Sequence, residues 1–391
     1  MMRGVLEINL NLLAANIAKI KKAMPAGLYH LAAIKTNAYG LGLEKIASFL
    51  GKRQPSLVDG FAVLGAQEAL EIRFLGIDLP ICILSPVLKG ELEDLYQAKA
   101  TPLISSVEEV DMLQNFAQEK QYVQPIHIKI DTGMGRLGVW FEKIDEFFAH
   151  IRSCDHLKVC GLATHFSSVA SDATFTQLQL ERFQKIVQRY GEADWMNHAA
   201  SSFAIDRFIE GTNTVRIGAL YYGIPEDNPI VKRLGLESVV RLSGPVTLVK
   251  RIPAGTKIGY EQTYYLPKDT KIAIVSLGYA DGIPITLSNC GEVLIHGKRC
   301  KIIGRVSMDQ VTIDVSDLEE VAVSDEAVFF GKQGAEEIPF CEFAQRAQLL
   351  MRAAYLASLS ERRVVRKYIP EIFSMDYSSE TKNYQSFFSP F

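Results

Sequence analysis

Short apolar runs and amphipathic stretches alternate along the first half of the chain. The apolar runs fall at residues 31–34, 60–64, 80–84, 101–105, 126–130, 159–164, 195–199 and 214–222. Between them lie segments of helical length and period, at 91–96, 107–121, 141–152 and 175–190. Such alternation calls for a parallel sheet with crossover helices. Eight strands is the number that closes a (β/α)8 TIM barrel, and residues 12–236 are a span of the usual size for one. An open doubly wound sheet is the competing architecture. The glycines after the first run, Tyr39-Gly40-Leu41-Gly42, lack the GxGxxG spacing that it would use.

After about Leu236 the pattern changes. Short runs rich in Val and Ile, at 246–249, 272–277, 292–295, 300–303 and 311–315, are punctuated by Pro253-Ala-Gly255, Lys268-Asp269, Asn289-Cys-Gly291 and His296-Gly297. They predict a C-terminal mainly β domain over 237–367, giving an α/β + β fold class overall. Residues 1–11 contain a strand-like segment expected to join that domain, which leaves 12–24 as the helix entering the barrel. Residues 368–391 mix aromatic and polar side chains and read as a C-terminal extension.

Composition narrows the class. The 391 residues are 48% hydrophobic and 22% charged, ordinary for a globular chain of two domains. A formal net charge of −3 provides no global field for a polyanion, and the short run Arg362, Arg363, Arg366, Lys367 is the only basic cluster, so no nucleic-acid partner is expected. No stretch approaches the roughly 18 apolar residues of a membrane span. Glu7, Asn9 and Asn11 interrupt the start where a signal peptide needs an apolar run. The six cysteines are scattered without CxxC spacing, which fits a reducing, cytoplasmic compartment and no metal site.

Candidate chemistry gathers at one end of the expected barrel. Lys35 follows the first strand, Arg136 the fifth, His165 the sixth and Ser201-Ser202 the seventh, while Arg216 lies in the eighth. C-terminal strand ends are where barrel enzymes keep their sites. A lysine directly after the apolar strand Leu31-Ala-Ala-Ile34 is held near a low-dielectric interior. Desolvation lowers an ammonium pKa and frees the amine to react with an aldehyde. His127, Lys129 and Asp131 alternate with isoleucines and share one strand face, where Lys129 could simply pair with Asp131.

Lys35-Thr36-Asn37-Ala38-Tyr39-Gly40 resembles the cofactor-lysine motif of the alanine racemase family, barrel-type enzymes dependent on pyridoxal 5'-phosphate (PLP). The resemblance extends over about residues 4–367. It includes Lys129-Ile-Asp131-Thr-Gly-Met-Gly-Arg136, Ala163-Thr-His165-Phe166, Val215-Arg216-Ile-Gly218-Ala219, Gly259-Tyr260-Glu-Gln-Thr-Tyr264, Gly278-Tyr279-Ala-Asp-Gly282 and Gly304-Arg305-Val-Ser-Met308-Asp309. It implies a two-base racemase of L- and D-alanine that supplies D-alanine for peptidoglycan. Lys35 would serve one face of the substrate and Tyr260 the other, Tyr260 coming from the partner subunit of a homodimer with shared sites. Cofactor contacts would come from Lys35, Tyr39, His165, Ser202, Arg216, Gly218, Ala219 and Arg362. Contacts from Tyr260 to His165 to Arg216 would favour the phenolate. Arg136 and Met308 would bind substrate, with Lys129, N-carboxylated, holding Arg136; Asp309, Tyr279 and Asp172 would support the site and its entrance.

The chain departs from the family pattern at three places. Arg362 stands where a tyrosine usually precedes Arg-Val, Ala219 where a larger aliphatic residue is common, and Ile283-Pro284 follow Gly282 without the usual arginine. These leave a serine or broader racemase of the same fold open as the alternative. A decarboxylase of the same architecture would need an acid where Arg216 lies. A PLP-binding protein without turnover would lack a β domain and any counterpart of Tyr260.

Overall fold

A computed structural model describes residues 3–205, 211–350 and 352–370. Eight strands, Tyr29–Ala33, Gly60–Val63, Ile81–Ile83, Thr101–Ile104, Gln124–Asp131, Leu157–Ala163, His198–Ser201 and Thr214–Ile217, pair in parallel in chain order. Thr214–Ile217 closes the barrel on Tyr29–Ala33. The interior is narrow and lined by small or apolar side chains, among them Leu31, Ala33, Ala62, Cys82, Leu103 and Ala163. Polar groups enter it from the later strands.

Local chemistry explains the element boundaries. The entering helix Leu10–Ala23 starts at Asn9, whose Oδ1 accepts from the Leu12 amide at 3.0 Å. Ser106 caps Val107–Glu119, and Asp172 caps Ala173–Tyr190 through the Phe175 amide at 2.8 Å. The apolar run at 214–222 splits, because Gly218 at φ −122°, ψ −97° ends the strand and opens a 3-10 turn at Ala219–Tyr222. The seventh strand begins at His198 rather than 195. Residues 195–197 are instead held by Asn213, whose amide side chain donates to the Trp195 carbonyl and accepts from the Asn197 amide.

The β domain is organised by the long strand Val240–Ile252. It pairs antiparallel with Gly4–Asn9, with Glu326–Gln333 and, along its second half, with Thr270–Val275. Gly4–Asn9 also pairs parallel with Val364–Ile369, so both ends of the described chain lie in this sheet. Glu292–Ile295 and Lys298–Lys301 form a hairpin over His296-Gly297, both at positive φ, as a two-residue turn of matching twist requires. The last strand runs through Tyr368 and Ile369. Residues 371–391, most of the expected extension, lie outside the described residues.

Candidate active site

Lys35 leaves the first barrel strand into an unusual turn. Thr36, Asn37, Ala38 and Tyr39 all adopt left-handed conformations, with φ between 52° and 60°. For side chains with a Cβ this costs roughly 1–2 kcal/mol per residue, so the turn must be held from outside. Glu68 accepts from the Asn37 amide at 3.0 Å, and Asn37 Oδ1 accepts from the Leu43 amide at 2.6 Å. The last strand adds two bonds: Arg366 Nε donates to the Gly40 carbonyl at 2.9 Å, and Tyr368 Oη to that of Leu41 at 2.7 Å. The Lys35 amine makes no hydrogen bond among the described residues. Burial first, then Arg136, hold its pKa below that of a free lysine, with Glu68 opposing them.

Arg216 projects from the eighth strand into the barrel and is 6% exposed. Its Nη1 donates to His198 Nδ1 and, at 3.0 Å, to the His198 carbonyl; Nη2 donates to the Thr164 carbonyl at 2.7 Å. None of these bonds uses Nε, and no carboxylate pairs with the guanidinium among the described residues. Arg216 can only donate, so His198 Nδ1 accepts. Its proton therefore sits on Nε2, which lies 2.9 Å from His127 Nδ1. Cys82 Sγ lies 3.7 Å from the same nitrogen of His127. Burial pushes the Cys82 thiol up to about 12 and His127 down to about 4, so both are neutral.

The ligand-type atoms of Cys82, His127 and His198 lie within 4.8 Å of one another. A metal on His198 Nε2 would force its proton onto Nδ1, against the donors of Arg216. The cluster is better described as a neutral anchor for the guanidinium.

Lys129 is 8% exposed and does not pair with Asp131. Asp131 is committed elsewhere, accepting the amides of Gly133, Met134, Gly135 and Arg136 and so shaping the loop that carries Arg136. Burial, then Arg216 and Arg136, push the Lys129 amine well below its usual range. The Arg136 side chain is exposed and unbonded among the described residues. His165 is driven to about 2 by burial and then by Arg216, and stays neutral. Arg216 and His165 share no hydrogen bond among the described residues, and the guanidinium bears on His165 through its charge.

At the seventh and eighth strand ends, Ser202 Oγ accepts the Gly218 amide at 3.1 Å, and the Ala219 amide has no partner among the described residues. Tyr39 lies directly over Gly218: a Cβ there would stand 2.3 Å from the phenol oxygen. Asp172, expected at the entrance, serves as a helix cap on an exposed loop.

The β-domain candidates sit at exposed positions, and next to Arg362 the Glu361 carboxylate accepts from the Asn37 side chain of the turn after Lys35. Tyr260 is 68% exposed, Met308 52% and Tyr279 41%; the Arg362 side chain is exposed and unbonded among the described residues. Asp309 pairs with Arg363 at 2.7 Å. Sequence reasoning passed over Asn37, Glu68, Cys82, His198 and Arg363. His198 is the first residue of the seventh strand, on the inward face, and was within reach of strand alternation. The others act by contacts between segments far apart in the chain.

A parallel barrel with Lys35, Lys129, Arg136 and Arg216 on its later strands and C-terminal loops, joined to a β domain that exposes polar and aromatic turns, defines a two-domain barrel enzyme. The chain belongs to the alanine racemase family: residues 8–226 match the model of the alanine racemase N-terminal domain, and residues 239–368 that of the C-terminal domain. It is 32% identical over 349 residues to the alanine racemase of Halothermothrix orenii, covering 88% of this chain and 91% of the relative. It is 36% identical over 347 residues to that of Methanococcus maripaludis, covering 87% and 92%. The crystal structure of alanine racemase from Bacillus anthracis with bound L-Ala-P superposes with a TM-score of 0.84 at 28% identity, covering 94% of this chain and 95% of that one. That from Bartonella henselae with covalently bound pyridoxal phosphate superposes at 0.82 and 25% identity, covering 94% and 100%. No described helix is long and apolar enough to cross a membrane.

Proposed function

We propose that the protein interconverts L- and D-alanine with PLP as cofactor, each site being completed by a partner subunit. The observation that carries this reading is the unbonded Lys35 amine, its pKa depressed, at the mouth of an electropositive barrel.

The donor set suits PLP. Among the described residues Lys35, Arg136 and Arg216 are faced by Glu68 and Asp131, whose oxygens are engaged by backbone amides, so an anionic ligand would balance the remaining charge. Lys35 would hold the aldehyde carbon. Arg216, through Nε, would face the ring nitrogen, and Ser202, Tyr39, Arg362 and the Ala219 amide would hold the phosphate. When bound, PLP supplies an electron sink that makes the substrate α-proton removable.

The remaining steps belong to the chain. Lys35 takes or returns the α-proton at its Nζ on one face, and Tyr260 of the partner subunit does so at its phenol oxygen on the other. Arg136 and the Met308 amide of the partner subunit bind the substrate carboxylate. Arg216 cannot surrender a proton to the ring nitrogen, which limits electron withdrawal and with it side reactions. Burial and the neighbouring guanidinium groups disfavour the charged form of Lys129, which favours reaction of its amine with carbon dioxide, and the resulting carbamate would pair with Arg136. Ala219 and Arg362 leave the pocket wall unlike the usual family pattern, so serine is the second substrate to test. D-Alanine made this way would serve peptidoglycan synthesis, and six free thiols suit a cytoplasmic setting.

The test is an isotope experiment. L-Alanine with the PLP-loaded protein in D2O should lose its circular dichroism and gain α-deuterium in both enantiomers. Lys35→Ala should lose the visible absorbance of the bound cofactor, and Tyr260→Phe should block exchange from one face. Exchange confined to serine or larger amino acids would replace alanine as substrate. A coloured protein that exchanges no amino acid would overturn the enzyme reading.

A further inference from the structure

Arg363 joins three segments of the β domain that are distant in sequence. Its Nε lies 2.7 Å from Asp281 Oδ1, and its Nη2 lies 2.7 Å from Asp309 Oδ1. The Asp281 side chain is 0% exposed. Its Oδ2 accepts the Gly278 amide at 2.9 Å, whereas the contact of Oδ1 with Arg363 is a close ion pair rather than an aligned hydrogen bond, and that oxygen has no other partner among the described residues. The turn Tyr279–Asp281 is laced to the next loop by backbone bonds from the Tyr279 amide to the Ser307 carbonyl and from the Ala280 amide to the Met308 carbonyl, each 3.0 Å. No room exists for a side chain at their junction: a Cβ on Gly278 would stand 2.3 Å from the Ser307 oxygen. The Met308 amide itself makes no hydrogen bond among the described residues and remains available.

We propose that Arg363 is a positioning residue that acts in trans: it fixes the Met308–Asp309 loop of one subunit, through Asp281 and Asp309, for the substrate in the partner subunit's barrel. The inference rests on the shared-site reading above. Asp309 is the only one of the two carboxylates on the loop itself, and its side chain is 47% exposed. Without the guanidinium it would be drawn into water, taking Met308 with it. Asp281 would be left as a buried carboxylate with an unpartnered oxygen, so the Tyr279 turn would loosen as well.

Mixed dimers separate the possibilities. A Lys35→Ala chain paired with a Tyr260→Phe chain has one competent site, built from the Tyr260→Phe barrel and the β domain of the Lys35→Ala chain. Arg363→Ala placed on the Lys35→Ala chain should raise the KM for L-alanine about tenfold with a smaller change in kcat, as expected for a lost carboxylate-binding amide. The same change on the Tyr260→Phe chain should leave that KM unaltered. Arg363→Lys, which reaches one carboxylate but not both, should lie between, and it carries the same test if Arg363→Ala does not fold. Equal effects from both placements, or none from either, would overturn the proposal and leave the shared site standing. Failure of the unsubstituted pair to regain activity would overturn the shared site and the proposal together.

Discussion

The Gly218 α-carbon lies so close beneath the Tyr39 phenol that a Cβ would stand 2.3 Å from Oη and 2.9 Å from Cζ. The first and eighth strands adjoin in the barrel, and here the turn after one packs on the exit of the other. Gly218→Ala would force Tyr39 aside, and at φ −122°, ψ −97° the backbone also lies outside the regions that a residue with a Cβ favours. We expect PLP affinity, read by titration of the visible band, to fall at least about tenfold, the scale of one displaced hydrogen-bonding group. Unchanged affinity would show that Tyr39 does not hold the phosphate.

The left-handed turn after Lys35 makes two opposed predictions. Asn37→Ala removes the acceptor for the Leu43 amide and the contact with Glu361, and should cost about 1–2 kcal/mol in urea unfolding. Thr36→Gly, at an exposed position with φ 56°, relieves a β-branched residue of that conformation and should stabilise by up to about 1 kcal/mol. Destabilisation by both would mean that Thr36 supports the turn by more than its backbone.

Buried neutral histidines set the acid limit of stability. His30 and His127 are each lowered from 6.5 to about 4. The unfolded chain binds protons near pH 6.5 that the folded chain refuses until about pH 4. Stability is therefore full above 6.5 and falls through that window by up to about 1.4 kcal/mol per pH unit per histidine. Midpoints of urea unfolding from pH 7.5 to 4.5 should show this slope, and His127→Gln should remove part of it. An unaltered slope in that variant would show that His127 is protonated in the native state.

Lys129 offers a chemical test. Because its amine is held well below the usual range, bicarbonate near pH 8 should add one carbon dioxide per chain, seen by mass under non-acidic conditions and absent in Lys129→Ala. That variant should raise the KM for L-alanine through Arg136 more than it lowers kcat. No mass gain with wild-type KM intact would leave Lys129 as an uncharged lining residue.

Much of the architecture was legible in order and period alone. Alternating apolar and amphipathic segments determine a parallel barrel, and period-two alternation puts His127, Lys129 and Asp131 on one face, because these patterns reflect burial that each segment must achieve locally. The positions of Lys35, Arg136, His165 and Arg216 at strand ends follow from the same reading. Only the tertiary structure decided what those groups face. Asp131 proved to be a clamp for its own loop rather than the partner of Lys129, and Arg216 proved to rest on His198. Asn37 meets Glu68 and Arg363 meets Asp281 and Asp309 because separate strands deliver them to one place. A hydrogen bond or an ion pair is decided at the scale of an ångström between residues tens to hundreds of positions apart, and hydropathy, which averages over a segment, carries no record of it.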